Sequence, residues 1–397
     1  MLSHLLHLPA GIEPLSVALV YNQKKEDHKN KSGGEDSTDP PRFATSGTTH
    51  AAIPSSSLSL HTETQDFYAE WDTFETIDAV RNALAERHEV TLIEADEKAY
   101  VKLLEQPPDI VFNIAEGLYG VSREAQIPAI LEFLRIPYTG SDPLTLAICL
   151  DKSRTKEILA HAKIPTTRFA VVSNLNEIRQ FSASFPCIVK PLHEGSSKGI
   201  FNSSVVNTAA ELRRELERVL TGYSEPALVE EFLIGREFTV AILGNPGEIT
   251  VLPIVEIIFD SLPAGVNHIY SFEAKWIWDN AEAPLDIFQC PARLTGTLQE
   301  QIENICRKAY KLLRCRDWCR IDVRLDRSGN PHIIELNPLP GILPNPEDNS
   351  CFPKAARAAG LGYNKLIQTV LACAAKRYGL DRHKPPHAGG ERTEERA

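Results

Sequence analysis

The tightest constraint on the fold lies between Arg320 and Asn337. Two short runs, Arg320-Ile-Asp-Val-Arg-Leu and Ile333-Ile-Glu-Leu-Asn337, flank the turn Asp326–Asn330, which reads DRSGN. Side chains alternate between the faces of a strand, so Arg320 and Asp322 share one face, and Glu335 and Asn337 share one face of the next. Ile321, Val323, Ile334 and Leu336 then fall on the opposite face. A turn of this kind joins neighbouring strands and predicts a hairpin over 318–325 and 331–336. The chain must therefore contain an antiparallel sheet, one face apolar and the other bearing two carboxylates and an amide. Hard oxygens of this kind are what magnesium requires when phosphates complete its coordination. A solvated face with chance ion pairs is the plainer alternative, and a lone acid would fit it better than this set does.

Two other clusters invite a chemical reading. Ile188-Val-Lys-Pro-Leu-His-Glu-Gly-Ser-Ser-Lys-Gly199 closes an apolar strand with Lys190 and continues into a loop of Gly195, Ser196, Ser197 and Gly199. Small residues let backbone N–H groups approach an anion, the hydroxyls add donors, and the lysine adds a point charge. A flexible turn beside an ordinary lysine explains the same residues equally well. In Leu228-Val-Glu230-Glu231-Phe232 and Arg236-Glu237-Phe238-Thr239-Val240, one strand ends in acids and the next begins with another. Strand-edge backbone plus a carboxylate suits a purine and ribose hydroxyls; a strand-end charge pair is the simpler account. Neither GxxxxGK[ST] nor GxGxxG occurs, so the two commonest nucleotide folds lack their signatures.

Periodicity organises the rest. A buried strand over 15–21 precedes a polar run, 22–66, with neither helical nor strand spacing. Such a run cannot bury enough apolar surface to offset its ordering entropy, which predicts a disordered insertion. Order resumes at Phe67. A helix over 74–87, capped by Asp72 or Thr73, a strand over 89–93, a helix near 97–105 and a strand over 109–114 give a β-α-β-α-β rhythm and predict a parallel sheet. A helix near 124–134, a turn at 138–143 and one long helix over 144–163 follow. Strands at 169–172, 187–190 and 227–231 alternate with helices near 175–181 and 208–220. Two antiparallel strands over 237–260 are joined at Gly244-Asn245-Pro246-Gly247. Residues 261–290 are poorly patterned, helices are expected near 295–313 and 364–378, and the tail 379–397 reads as disordered.

The charge balance, 42 Lys and Arg against 53 Asp and Glu for a net charge of −11, argues against a broad nucleic-acid-binding face. No stretch reaches the ~18 consecutive apolar residues of a membrane span. The N-terminal segment has no Lys or Arg ahead of its apolar part and is interrupted by Pro9 and Gly11, so no signal peptide is expected. Eight cysteines are scattered, with only Cys315 and Cys319 close together, which reads as reduced thiols in a cytoplasmic protein.

Taken together in order, the motifs resemble the ATP-grasp superfamily and, within it, the D-alanine–D-alanine ligases. The matching runs are PYTGSD (137–142), LDKSRTK (150–156), 188–199, EEFLIGREFTVAIL (230–243), Tyr270 with Glu273-Ala-Lys275, RIDVRLD (320–326) and IIELNPLPG (333–341), with Ser350 downstream. The resemblance spans about 16–378 apart from the insertion. It implies an α/β fold, α+β in the ATP-grasp part: an N-terminal α/β domain over 1–139, a central ATP-grasp subdomain over 140–231 and a C-terminal one over 232–378 that carries the metal site.

By the same resemblance, Lys152, Lys190 and Lys275 contact the phosphates of ATP. Glu194, Gly195 and Ser197 belong to a phosphate lid, with Ser196 on its substrate side. Glu230 and Glu237 match the purine and ribose acids, and Phe232 and Leu233 lie on the adenine strand. Asp322, Glu335 and Asn337 match ligands of two magnesium ions, for which manganese can substitute. Arg320 and Gly341 steady an oxyanion, Glu70 holds the first substrate's ammonium, and Ser350 takes the second substrate's carboxylate. The implied reaction joins two small amino acids through an acyl phosphate, most directly two D-alanines for peptidoglycan precursors, with no nucleic acid or membrane partner; a homodimer is the family's implied state. Three departures fall on the substrate side: Asn113-Ile-Ala-Glu-Gly117 and Ser122-Arg-Glu-Ala125 replace the usual His-Gly and Gly-Glu-Asp-Gly, Trp276 replaces a loop tyrosine, and Cys351 follows Ser350. They leave open a ligase of the same mechanism for other amino acids or short peptides. Activation of a different carboxylate and a non-catalytic nucleotide-binding module also remain, the intact acid–amide set speaking against the last.

Overall fold

The computed structural model of the protein describes residues 14–24, 68, 70–117, 119–180, 184–279 and 285–381. The polar run from 25 onward, Phe67 and the tail from 382 lie outside the described residues.

The first sheet is parallel, with β1 (Ser16–Tyr21) between β2 (Glu89–Glu94) and β3 (Ile110–Asn113). Val17–Val20 are wholly buried, as expected of a central strand covered on both faces. Helices α1 (Phe74–Ala85), α2 (Ala99–Glu105) and α3 (Gln126–Leu134) accompany it. Thr73 caps α1, its hydroxyl accepting from the Thr76 N–H at 3.4 Å. The chain does not leave this sheet at Tyr21. Asn22 is buried, donates to the Ala95 carbonyl at 3.3 Å and accepts from the Gly117 N–H at 2.9 Å. Gln23 bridges Asp72, and the Lys24 N–H reaches the Asp72 carbonyl at 2.7 Å. The first three residues of the polar run thus tie Glu70–Thr73 to the carboxyl end of β1.

The long helix expected over 144–163 is two helices, α4 (Pro143–Leu150) and α5 (Lys152–His161). Asp151 is extended (ψ 96°), and its carboxylate accepts from the N–H groups of Ser153 at 2.9 Å and Arg154 at 3.1 Å. A short acid that can satisfy the orphan donors of a new first turn breaks a continuous helical pattern. Lys152 consequently opens α5. The second sheet is antiparallel, in the order β4-β7-β5-β6, built from β4 (Phe169–Val172), β5 (Cys187–Pro191), β6 (Val205–Val206) and β7 (Ala227–Glu231). Helix α6 (Ala209–Gly222) buries Leu212, Leu216 and Val219 against it. The helix expected near 175–181 is a 3-10 turn over Leu175–Gln180.

The third sheet carries β8 (Glu237–Leu243), β9 (Thr250–Val251), β10 (Val255–Ile257), β11 (Phe288–Gln289), β12 (Trp318–Leu325) and β13 (Pro331–Asn337), in the order β11-β10-β8-β12-β13 with β9 also on β8. The single return strand expected after the 244–247 turn is split into β9 and β10 around Pro253, which has no N–H to give a ladder. Helix α7 (Gly296–Leu312) buries Ile302, Ile305, Cys306, Ala309 and Tyr310 beneath the sheet, where Cys149, Leu159 and Ile164 join them. The segment around α4 and α5 therefore packs into the third sheet's core, although the sequence grouped it with the second. Helix α8 (Cys351–Ala358) was not anticipated, and α9 (Tyr363–Tyr378) closes the described chain. The opposite face shares one apolar core with the parallel sheet, through Phe112 and Trp318 rings 5.7 Å apart and Trp318 and Phe352 rings 5.9 Å apart.

Candidate active site

A cavity of about 260 Å³ opens where the three sheets meet. Of the residues given a role by the resemblance, all but Lys152 and Asn337 line it.

The hairpin forms, and Ile321, Val323 and Leu336 lie in the apolar core as alternation required, but the irregular register puts Ile333 beside them in place of Ile334, which lines the cavity. Arg320 pairs with Asn337 and Asp322 with Glu335 across β12 and β13, and a bulge after Asp322 shifts the register. Arg320 donates to Asp322 at 3.0 and 3.2 Å and stands 3.7 Å from Glu335. Thr239 on β8 donates its hydroxyl to Asp322 at 2.7 Å. The Asn337 amide reaches Asp322 at 3.3 Å and Glu335 at 3.5 Å. Burial raises the Asp322 carboxyl above the usual range, against the pull of Arg320. Glu335 is partly buried, but Lys152, Lys190 and Arg320 outweigh the desolvation and hold it at about 2. Two facing carboxylates and an amide on one wall make a donor set of hard oxygens that fits a magnesium ion.

Opposite stands a second charged layer. Glu230 is buried between two lysines: Lys156 approaches it at 2.8 Å and Lys190 from the other side, while the Thr167 hydroxyl donates at 2.6 Å. Burial opposes its charge, but the two ammonium groups hold it far below the usual carboxylate range. Its carboxylate therefore neutralises lysines, which the purine role inferred from sequence did not anticipate. Lys156, Thr167 and Thr239 were missed as site residues; Lys156 and Thr239 lay inside quoted motifs, and nothing in their spacing distinguished them. Lys152 donates to the Glu194 carbonyl at 2.5 Å, linking the start of α5 to the base of the loop. Burial and the nearby Arg320 lower Lys275 to about 8.

Loop 194–199 is held down over the cavity. Ser196 and Ser197 both have positive φ, 49° and 61°, a conformation that costs non-glycine residues about 1 kcal/mol or more. Ser197 donates to the Tyr270 carbonyl at 2.8 Å, and the Phe272 N–H reaches Ile200 at 2.7 Å, so the loop packs on the poorly patterned 261–279 segment. A Cβ on Gly195 would stand 2.7 Å from Glu70 Oε1, so a larger residue there would push the Glu70 carboxylate aside. That oxygen accepts from the Gly195 N–H at 2.5 Å. Arg123, from the departed Ser-Arg-Glu-Ala run, donates to both Glu70 oxygens at 2.6 and 2.7 Å, to Glu194 at 3.2 Å and to the His193 carbonyl at 3.1 Å. Of Trp276, only the backbone is described.

The remaining walls are apolar or acceptor-like. Ile188, Phe232, Leu233, Ile269 and Ile334 line one end, where Arg324 stacks 4.7 Å from the Phe232 ring and donates to Glu237 at 2.5 Å. At the other end Ser350 accepts from the Leu343 N–H at 3.2 Å and donates to the Gly341 carbonyl at 3.4 Å, just before α8 begins. An elongated cavity with an apolar slot, lysines and an oxygen-donor wall in the middle and small polar groups at the far end can hold a nucleoside triphosphate beside a small carboxylic acid.

The family model for the D-ala D-ala ligase C-terminus matches residues 158–372. The D-alanine–D-alanine ligase of Saccharophagus degradans is 33% identical over 285 residues, 70% of this chain and 81% of the relative. That of Bordetella parapertussis is 33% identical over 286 residues, 72% and 84% of the two chains. An uncharacterized protein, y4sG, of Sinorhizobium fredii is 36% identical over 318 residues, 78% of this chain and 90% of its own. The crystal structure of the Bacillus anthracis D-alanine–D-alanine ligase complexed with ATP superposes with a TM-score of 0.59 at 22% identity, over 92% of this chain and 99% of that one, which shows the shared fold. The sequence relatives and the matched domain carry the assignment further: the chain belongs to the D-alanine–D-alanine ligase family.

Proposed function

We propose that the protein is an ATP-dependent carboxylate–amine ligase that joins two D-alanines with release of ADP and phosphate. The observation that carries this reading is that Asp322 and Glu335, with Asn337 hydrogen-bonded to both, and the ammonium groups of Lys190 and Lys275 line one cavity. Asp322, Glu335 and Asn337 would hold magnesium, which supplies positive charge to the transferred phosphoryl group. Lys152, Lys190 and Lys275 orient the phosphates, and Phe232, Leu233 and Ile188 enclose the base. The first carboxylate attacks the γ-phosphorus and expels ADP; the amine of the second amino acid then attacks the acyl carbon and expels phosphate. Arg320 and a backbone N–H near Gly341 stabilise the oxyanion of that second step, an effect of about 3 kcal/mol per donor. The loop 194–199 and the 261–279 segment exclude the water that would hydrolyse the acyl phosphate. Supply of the dipeptide to cell-wall precursors in the cytoplasm follows from this reading, and no helix among the described residues is long and apolar enough to cross a membrane.

The test is phosphate release with ATP and magnesium against a panel of D- and L-amino acids, with the product identified by mass. D-Alanyl-D-alanine is the expected product. A second reading, the same chemistry on other amino acids or short peptides, is favoured by Arg123 at the first-substrate wall, and a different dipeptide in the same assay would establish it.

A further inference from the structure

Arg324 follows Arg320 and Asp322 on the same face of β12, and the catalytic steps above leave it without a task. It lines the apolar end of the cavity, with only 5% of its surface exposed. Its register partner across β12 and β8 is Glu237. Nη1 donates to Glu237 Oε2 at 2.5 Å and Nη2 to the His268 carbonyl at 2.6 Å. The Phe232 and Phe259 rings lie 4.7 and 5.5 Å from the guanidinium carbon. Two anchored nitrogens and two neighbouring rings fix the orientation of the group. Its third nitrogen is left over: Nε is buried and, among the described residues, donates to nothing. Glu237 Oε1 likewise accepts from no donor among the described residues, since Arg324 takes the other oxygen. A buried N–H without an acceptor carries its full desolvation cost until a ligand supplies one. The charges of the pair cancel, so it does not compete with Lys190 and Lys275 for phosphate. It offers one donor and one acceptor on adjoining side chains. A hydroxyl donates and accepts at once and satisfies both, whereas a ring nitrogen satisfies Nε alone and a phosphate oxygen meets a carboxylate.

Resting on the nucleotide part of the ligase reading above, we propose that Arg324 is a specificity-determining residue: its Nε–H donates to a ribose hydroxyl whose own proton goes to Glu237, so that the slot tells a ribonucleotide from its deoxy counterpart. Glu237 alone accepts from a hydroxyl; Arg324 both fixes that carboxylate and adds the donor. Through His268 the same guanidinium also holds the 261–279 segment against the nucleotide end of the cavity.

Binding is read directly, by isothermal titration calorimetry of the full chain with magnesium and ATP, 2′-deoxy-ATP or 3′-deoxy-ATP. The unaltered protein is expected to bind at least one deoxy analogue about 10- to 100-fold more weakly than ATP, the loss of charge-assisted contacts. Arg324→Lys keeps a cation beside Glu237 but has no N–H at the Nε position. There the ratio of the two affinities should fall about 10-fold, because ATP weakens and the analogue does not. Arg324→Met combined with Glu237→Leu removes donor and acceptor together without stranding a charge, and should bind ATP and the analogue alike. Both analogues binding the unaltered protein as tightly as ATP overturns the assignment. So does an unchanged ratio in Arg324→Lys, which leaves selection to Glu237, or discrimination that persists in the double variant. Should ATP fail to bind the unaltered protein, the nucleotide reading falls and takes this one with it. Selective binding of ATP without formation of any dipeptide removes the ligase reading and leaves the role of Arg324 standing.

Discussion

At the residue scale, the centre of the site is a set of charges removed from water and balanced against one another. Lys156, Lys190 and Glu230 are all buried, so deleting one member strands the others in a low-dielectric surround. Lys156→Met should therefore destabilise the protein by about 3–5 kcal/mol in urea unfolding; a loss under 1 kcal/mol would mean that water reaches Glu230. Glu335→Gln keeps the shape of the wall and removes a charge that Lys152, Lys190 and Arg320 stabilise. It should abolish turnover while leaving the circular dichroism spectrum and melting curve close to those of the parent, and near-normal ADP release would dismiss the metal role. Asp322 and Glu335 were legible because alternation and one turn suffice to oppose them. Lys156 was not, because its importance comes from Thr167, Glu230 and the Ile334 carbonyl, each brought to it from a distant part of the chain.

At the element scale, the loop after β5 joins rigid parts. His193 lies between Asp151, which caps α5, at 3.6 Å, and Glu225, just before β7, at 2.8 Å. Burial disfavours its charge, but the two carboxylates prevail and raise it from 6.5 to about 9. The charged form is thus favoured by folding. Its stabilisation is complete below pH 6.5, shrinks as pH rises beyond that, and is lost once pH passes about 9. Urea midpoints taken between pH 6 and pH 9.5 should fall in the parent and fall less steeply in His193→Gln; parallel slopes would dismiss the linkage. Gly199 has φ 72°, and a Cβ there would stand 2.3 Å from Pro191 Cγ. Gly199→Ala should displace the loop and raise the ATP-hydrolysis side reaction relative to dipeptide formation, measured as the ratio of phosphate to dipeptide released. The break between α4 and α5 was missed because apolar spacing runs on through Asp151; the cap becomes decisive only once the new helix has a sheet to pack on.

At the scale of the whole molecule, the parallel and third sheets are not separate bodies. Trp318 on β12 is fully buried between Phe112 of the first sheet and Phe352 of α8. Buried Asp317 beside it accepts from the Gly140 N–H at 2.8 Å, Asn245 at 2.8 Å and Arg377 at 2.7 Å, tying three distant segments together. Trp318→Ala should cost about 3–5 kcal/mol, and tryptophan fluorescence and far-UV circular dichroism should report lower but coincident unfolding midpoints; separate transitions would show that the two sheets unfold independently. The net charge of −11 is a sum over the whole chain. Within the cavity, Lys152, Lys190, Lys275 and Arg320 gather around the space for an anion, where burial strengthens each of them beyond its effect in water.

By itself the sequence determined the elements whose cause is local: the parallel β-α-β-α-β start, the polar-faced hairpin, the glycine- and serine-rich loop and the family to which they belong. Period and turn chemistry act over a few residues, and these features need no partner to be recognised. Only the tertiary structure decided which charges are already taken. It paired Arg123 with Glu70 and both lysines with Glu230, left Arg324 Nε without an acceptor among the described residues, and moved the α4–α5 segment into the third sheet's core. Burial and distance set the strength of a charge, and both are properties of the assembled fold that no spacing along the chain encodes.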